Sequence, residues 1–336
     1  MKVLVTGATG FVGQHLLREL GARGLAATGT GYTEGVAGRD EPRSVDFRHA
    51  AATRELVARE RPDAVIHLAA QSSVGVSFDA RRETFEVNVL GTLNLLAAVR
   101  DEAPGARILI ITSADLYGPS TPEARHRETS PLCPVSPYGA SKAAQDLVAA
   151  LAGAAYSLRL IRVRPFPQAG PGQRPTFALP AFAAQIAAFE RGEALGEGGD
   201  KPDVGEGGKH QGERVLKVGN LEVVRDYTDV RDGVRAYADL LTQGEPGEAY
   251  NVCSGRGFKL RQLVERLAAA ARVPIRIELD RARLRPADLP HLVGDPAKLK
   301  AAIGWEPRIE IERTLADLLD EARSRPANAR VGSSTR

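Results

Sequence analysis

The chain is poor in the residues that announce metal sites, disulfide frameworks or membrane spans. Its 336 residues hold two cysteines, one methionine and one tryptophan, and aromatic residues make up only 5%. Cys133 and Cys253 stand far apart and near no cluster of metal-ligating side chains, so reduced thiols in a cytoplasmic protein are expected. The six histidines, at 15, 49, 67, 126, 210 and 291, show neither an HExxH pattern nor paired spacing, and no metal site is expected. No apolar run approaches the ~20 residues of a membrane span, so no membrane partner is expected. Met1 leads straight into a strand-like run, which gives no sign of a secretory leader. The formal net charge is only +3 and the basic residues are dispersed, which speaks against a nucleic-acid face. What remains is the composition of a soluble enzyme, 43% hydrophobic and 26% charged, with length for two joined domains.

Short apolar runs alternate with helical patterns through the first half. Strands are predicted at Lys2–Val5, Leu25–Thr30, Ala64–Leu68, Arg107–Thr112 and Ser157–Arg164, with helices at Phe11–Leu20, Ala52–Glu60, Phe85–Val99 and Lys142–Ala152. That alternation predicts an α/β fold, a doubly wound parallel sheet of Rossmann type with a smaller C-terminal α/β substrate domain. The expected division is 1–165 plus about 220–253 for the dinucleotide-binding domain, and 166–219 with 254–325 for the second. A Gly-rich stretch at 192–212 reads as a surface loop with the makings of a lid, and 326–336 as a disordered tail.

Between the first strand and first helix runs Thr6-Gly7-Ala8-Thr9-Gly10-Phe11-Val12-Gly13. Glycine tolerates positive φ and lets a diphosphate approach the backbone, and the helix start offers free N–H groups and partial positive charge. A strand, glycine turn and helix in that order point to a dinucleotide site, with close strand–helix packing as the plainer alternative. Ser113 closes a predicted strand, and Ser136-Pro137-Tyr138-Gly139-Ala140-Ser141-Lys142 follows. A Tyr and a Lys four apart on a helix share one face. A phenol titrates too high for proton transfer at neutral pH. At an effective dielectric of ~20, a positive charge ~5 Å away is worth roughly 3 kcal/mol, about two pH units. Lys142 is therefore expected to acidify Tyr138, while Ser113 orients a carbonyl or hydroxyl.

With these residues, Asp46-Phe47, His67 to Ala70, Asn88 to Thr92 and the 136–142 run, the chain resembles the extended short-chain dehydrogenase/reductases along nearly its whole length. The resemblance implies a cofactor site of Gly7, Thr9, Gly10, Phe11, Val12, Gly13, Asp46, Phe47, Leu68, Ala69, Ala70, Tyr138 and Lys142. It implies a catalytic Ser113, Tyr138 and Lys142, and a homodimer through helices near 85–99 and 138–152. The segments 218–232, 251–258, 285–295 and 304–307 resemble the nucleotide-sugar enzymes, most of all those acting on GDP-sugars. Here the resemblance implies a diphosphate held by Arg225 and Arg285, a ribose facing Asp288, and substrate contacts from Asn88, Gln168, Val218 and Asn220. Guanidinium forks suit a diphosphate, at ~1.5–3 kcal/mol per charge-assisted bond.

Two activities compete in that branch. A GDP-mannose 4,6-dehydratase needs a carboxylate base, typically a Glu two residues after the Ser or Thr, where this chain has Asp115. A misplacement of ~1 Å can cost ~100-fold, and the run 166–174 resembles the reductase form. The expected activity is NAD(P)H-dependent reduction of a GDP-linked 4-keto-6-deoxyhexose; the dehydratase and a non-catalytic nucleotide-binding protein are the alternatives. Pro167-Gln168 replaces the Asn-His usual in relatives and removes a substrate contact. The stretch after Thr28 carries no acid before Glu34, which points to NADP(H) and still permits NAD(H).

Overall fold

A computed structural model describes residues 1–31, 43–193, 214–284 and 288–325. The chain divides into two compact units. The larger, formed by 1–168, 224–257 and 287–308, carries a seven-stranded sheet. Its strands are β1 (Lys2–Thr6), β2 (Ala26–Gly31), β3 (Arg43–Ser44), β4 (Ala64–His67), β5 (Arg107–Ile111), β6 (Arg159–Pro165) and a last strand Ala249–Val252. The spatial order is Ala249–Val252, β6, β5, β4, β1, β2, β3, every neighbouring pair parallel.

Chain order reverses between β1 and β4, and ligands of such sheets bind at that crevice. β1 and β4 bury nearly every side chain, which is why they read as unbroken apolar runs rather than alternating ones. One face is covered by α1 (Phe11–Ala22), whose Leu16 and Leu20 join Val3, Val5, Ile66 and Ile111 in one core. The opposite face is covered by α2 (Ala50–Glu60), by a run made of α3 (Val74–Asp79), α4 (Arg81–Phe85), a π-helical turn (Glu86–Leu90) and α5 (Gly91–Glu102), and by α6 (Pro137–Tyr156). α6 starts at Pro137, a residue suited to a first turn because it has no N–H to leave unpaired, and Ser136 caps it by accepting from Gly139 N–H. The helix thus begins one residue before Tyr138.

In the smaller unit, α7 (Ala178–Glu190) packs with α11 (Ile311–Ser324) and α9 (Leu260–Ala269), and Arg214–Val218 pairs in parallel with Ile275–Leu279. The segment 287–308, expected from sequence in this unit, belongs to the larger one. There α10 (Ala297–Ile303) contacts the last strand and α8 (Val230–Gln243), and the buried Trp305 indole donates to Asp232 O at 3.0 Å. The residues of the Gly-rich stretch from 194 onward and the tail 326–336 lie outside the described residues. No described helix is long and apolar enough to cross a membrane.

Candidate active site

The glycine turn closes tightly. Gly7 has φ +69°, and a Cβ there would stand 2.7 Å from Ala69 N. A Cβ on Gly13 would meet Gly7 O, and Ala8 Cα at 2.6 Å, so this glycine sets how near α1 lies to β1. The close-packing reading therefore holds at Gly7 and Gly13, and it leaves the phosphate reading standing. Gly10 N–H donates to Gly7 O at 3.0 Å, and the first helical bond is Gln14 N to Gly10 O. No side chain caps α1 and its first turn holds no acid. N–H groups at Phe11, Val12 and Gly13 without a capping oxygen, beside a cradle that a Cβ would fill, fit the diphosphate of a dinucleotide. Thr9 packs against the end of β2, where a side chain on Gly31 would overlap it.

Leu68 N–H donates to Thr6 O, and Ala69 N–H donates to Thr6 Oγ1 at 3.1 Å, which lays 68–70 beside the turn. Phe47 faces inward, its ring edge-on to His67 with centroids 5.6 Å apart. Asp46 is held by Arg48, whose Nε and Nη2 fork onto both carboxylate oxygens at 2.7–3.0 Å. That fork holds the Asp46 carboxyl below its ordinary value. The end of the β2 loop with Glu34 lies outside the described residues.

Beyond β5, Ser113 Oγ donates to Asp115 Oδ2 at 3.0 Å and accepts from Asp115 N–H at 3.2 Å. Tyr138, 8% exposed, lies close enough to Ser113 for the two to interact. Its backbone N–H is fixed by Ser77 Oγ at 3.1 Å. Lys142, also buried, donates from Nζ to Ile111 O at 3.1 Å and to Gln145 Oε1 at 2.8 Å. The structure thus brings Ser113, Tyr138 and Asp115 together, with Lys142 one turn along α6. The electrostatics depart from expectation. Burial raises the Tyr138 phenol, the Asp115 charge raises it further, and the Ser113 contact only partly offsets them. Burial lowers Lys142 to about 7. In the chain by itself, loss of water and the Asp115 charge outweigh the Ser113 contact, so Tyr138 stays protonated.

Asn88, expected from the resemblance to touch substrate, is fully buried in the π-helical turn. Its amide donates to Ser141 Oγ and Gln71 O and accepts from Gln71 N–H, tying the loop after β4 to α6. Gln168, just past β6, donates to Tyr237 Oη at 2.9 Å. Gly233 leaves the room this requires, since a Cβ there would overlap the Gln168 amide. Tyr237 escaped the sequence reading, and it is buried beside Tyr138, which bears on its own raised value.

Among the remaining residues, Arg225 donates to Val224 O at 2.9 Å and Asp288 is half-buried in the larger unit. Val218 and Asn220 lie in the smaller unit. The Val218 side chain is buried and its carbonyl accepts from Asp280 N–H. Asn220 Oδ1 accepts from Glu222 N–H at 3.0 Å. Arg285 lies outside the described residues.

A parallel sheet that reverses order at a glycine turn, with Ser, Tyr and Lys gathered beside that point, defines an extended short-chain dehydrogenase/reductase. Residues 4–318 match the family model described as GDP-mannose 4,6-dehydratase, and the chain belongs to that family of nucleotide-sugar enzymes. It is 37% identical over 326 residues, 96% of its length, to GDP-6-deoxy-D-mannose reductase of Pseudomonas aeruginosa, covering 98% of that protein. The structure of RMD from Pseudomonas aeruginosa complexed with NADPH superposes with a TM-score of 0.82 at 34% identity, over 97% of this chain and 99% of that one. UDP-glucose 4-epimerase of Thermus thermophilus in complex with NAD gives 0.81 at 30% identity, over 97% and 100%.

Proposed function

We propose that the protein reduces the C4 ketone of a nucleotide-linked 4-keto-6-deoxyhexose, with GDP-4-keto-6-deoxy-D-mannose as the substrate and NADPH as the hydride donor. The observation that carries this reading is a buried Tyr138 beside Ser113, where loss of water holds the phenol in its protonated form. A protonated phenol is what ketone reduction consumes, whereas dehydration must begin by taking a proton from the 4-hydroxyl. When bound, the nicotinamide supplies hydride to C4. Ser113 orients the ketone oxygen, Tyr138 delivers a proton to that oxygen as charge develops on it, and Lys142 contributes positive charge along the same helix face. The 37% identity to a GDP-6-deoxy-D-mannose reductase supports the substrate, and the neighbour complexed with NADPH supports the cofactor. NAD(H) is the second choice. Gln168, Asn220, Arg225, Arg285 and Asp288 are proposed to hold the sugar nucleotide.

Asp115 favours a second reading, since it supplies a carboxylate beside Ser113, one methylene shorter than the Glu usual in a 4,6-dehydratase. One assay separates the two: incubation with GDP-mannose and with its 4-keto-6-deoxy derivative, following reduced nicotinamide. Oxidation of NADPH with the keto-sugar is expected. Release of keto-sugar from GDP-mannose without net cofactor change would replace the reading by the dehydratase, and tight NADPH binding with turnover of neither would replace it by a non-catalytic protein.

A homodimer is proposed as well. Phe85, Leu90 and Leu93 on one helical run, and Leu147 and Leu151 on α6, are apolar and exposed, Leu151 at 69%. L147K/L151K is expected to sediment as a monomer where the wild type sediments as a dimer; a monomeric wild type would refute this. The thiols of Cys133 and Cys253 fit the reducing cytoplasm proposed as the location.

A further inference from the structure

Behind Lys142 lies a chain of buried polar side chains that the functional reading does not use. Lys142 Nζ donates to Gln145 Oε1 at 2.8 Å, and Gln145 Nε2 donates to Thr92 Oγ1 at 2.8 Å. Thr92 Oγ1 lies 3.1 Å from His67 Nε2 and donates its own hydrogen to Asn88 O at 2.8 Å. His67 Nδ1 lies 2.8 Å from Thr6 Oγ1, which accepts from Ala69 N–H. Thr6, His67, Thr92 and Gln145 are at most 1% exposed.

Only one set of directions satisfies all these contacts. Thr92 has a single hydrogen, committed to Asn88 O, so its oxygen must accept from both Gln145 and His67. His67 therefore carries its hydrogen on Nε2 and accepts at Nδ1 from the Thr6 hydroxyl. The same logic fixes the Gln145 amide. Its nitrogen must face Thr92, which leaves its carbonyl oxygen facing Lys142 and no alternative flip. The ring is neutral, and burial with the nearby Lys142 charge pushes it down to about 3.

We propose that Gln145 is a positioning residue for Lys142, holding its amine through a carbonyl oxygen that Thr92, His67 and Thr6 in turn keep in place. The proposal rests on the functional reading only in taking Lys142 as the cation of the site. The amine has three hydrogens when charged; Ile111 O and Gln145 Oε1 take two and leave one for the site. With Ile111 O alone, the amine could pivot about one contact. The groups facing it among the described residues are Ile111 O from β5 and Gln145 from its own helix, with the His67 ring of β4 near enough to feel its charge. Among the described residues no carboxylate pairs with Lys142; Asp146 is engaged with Arg162 and Arg164, and Asp115 with Ser113.

The test is a titration of the full-length protein carrying lysine labelled with 13C at Cε, with the Lys142 signal assigned by its loss in K142M. In Q145E a carboxylate replaces the amide, and the Lys142 midpoint is expected to rise by about one to three pH units. In Q145M, of similar length without hydrogen-bonding atoms, the midpoint is expected to fall and kcat to drop about tenfold with KM for the sugar little changed. The pH dependence of kcat should move with the midpoint in both variants. A Lys142 signal and midpoint identical to wild type in both variants overturns the proposal, and so does a loss of kcat in Q145M without any such shift. A wild type that reduces no keto-sugar would remove the functional reading, while the titration would still uphold or overturn the Gln145 contact.

Discussion

Replacement of Asp115 by Asn separates the two activities that this site could support. The carboxylate accepts the Ser113 hydroxyl at 3.0 Å, and its charge helps to keep Tyr138 protonated. In a reductase its part is indirect: D115N turns a charge-assisted bond of about 1.5–3 kcal/mol into a neutral one of about 0.5–1.5. The difference, about 1 kcal/mol in the orientation of Ser113, corresponds to roughly a fivefold loss in kcat. Loss of the negative charge also brings the Tyr138 phenol down, which should draw the basic limb of the kcat profile toward neutrality. In a dehydratase the same carboxylate would have to remove the C5 proton, and losing a general base costs about 100- to 10,000-fold. The assay is NADPH oxidation with the 4-keto-6-deoxy sugar nucleotide, run beside keto-sugar release from GDP-mannose. A loss of keto-sugar reduction beyond about 100-fold would refute the indirect role assigned to Asp115.

His67 makes stability depend on pH. Its folded value near 3 lies below the ordinary 6.5, so as pH falls the unfolded chain takes up the proton first. Its contribution is therefore full above 6.5 and is lost progressively toward 3; at pH 5 the loss is roughly 2 kcal/mol. Between pH 7 and pH 5 the unfolding free energy of the wild type should fall by about 2 kcal/mol more than that of H67Q, and equal falls would count against a neutral buried imidazole. Gly13→Ala places a methyl 2.6 Å from Ala8 Cα. It should lower folding stability by about 1–3 kcal/mol and weaken NADPH binding at least tenfold, as read by denaturation and by calorimetry. Wild-type affinity in a folded G13A would show that the turn does not hold the diphosphate.

The strands and the turn were legible because their signals are local. Val3 to Val5 and Ala64 to Ile66 are buried on both faces, and Gly7 needs positive φ within the run that names it. Ser113, Tyr138 and Lys142 followed from one strand end and one helix face. The burial of Asn88 did not follow, because a π-helical turn changes which way a residue points and no residue pattern here marks it. The fork of Arg48 onto Asp46 spans only two residues, yet composition does not reveal that it engages both carboxylate oxygens. Gln145 was in view, three residues past Lys142 on one helix face. Its partner Thr92 is 53 residues away, so the chain through it emerges only once α5 and α6 are packed. The division at 287–308 was misplaced for a similar reason: Trp305 finds its partner, Asp232, 73 residues away.

The most direct test of the account is the turnover of Y138F with GDP-4-keto-6-deoxy-D-mannose and NADPH. Removal of one hydroxyl should leave NADPH affinity nearly unchanged and lower kcat by at least about 100-fold, because the ketone oxygen loses the group that protonates it. Turnover close to that of the wild type would contradict the central claim that this phenol is the acid.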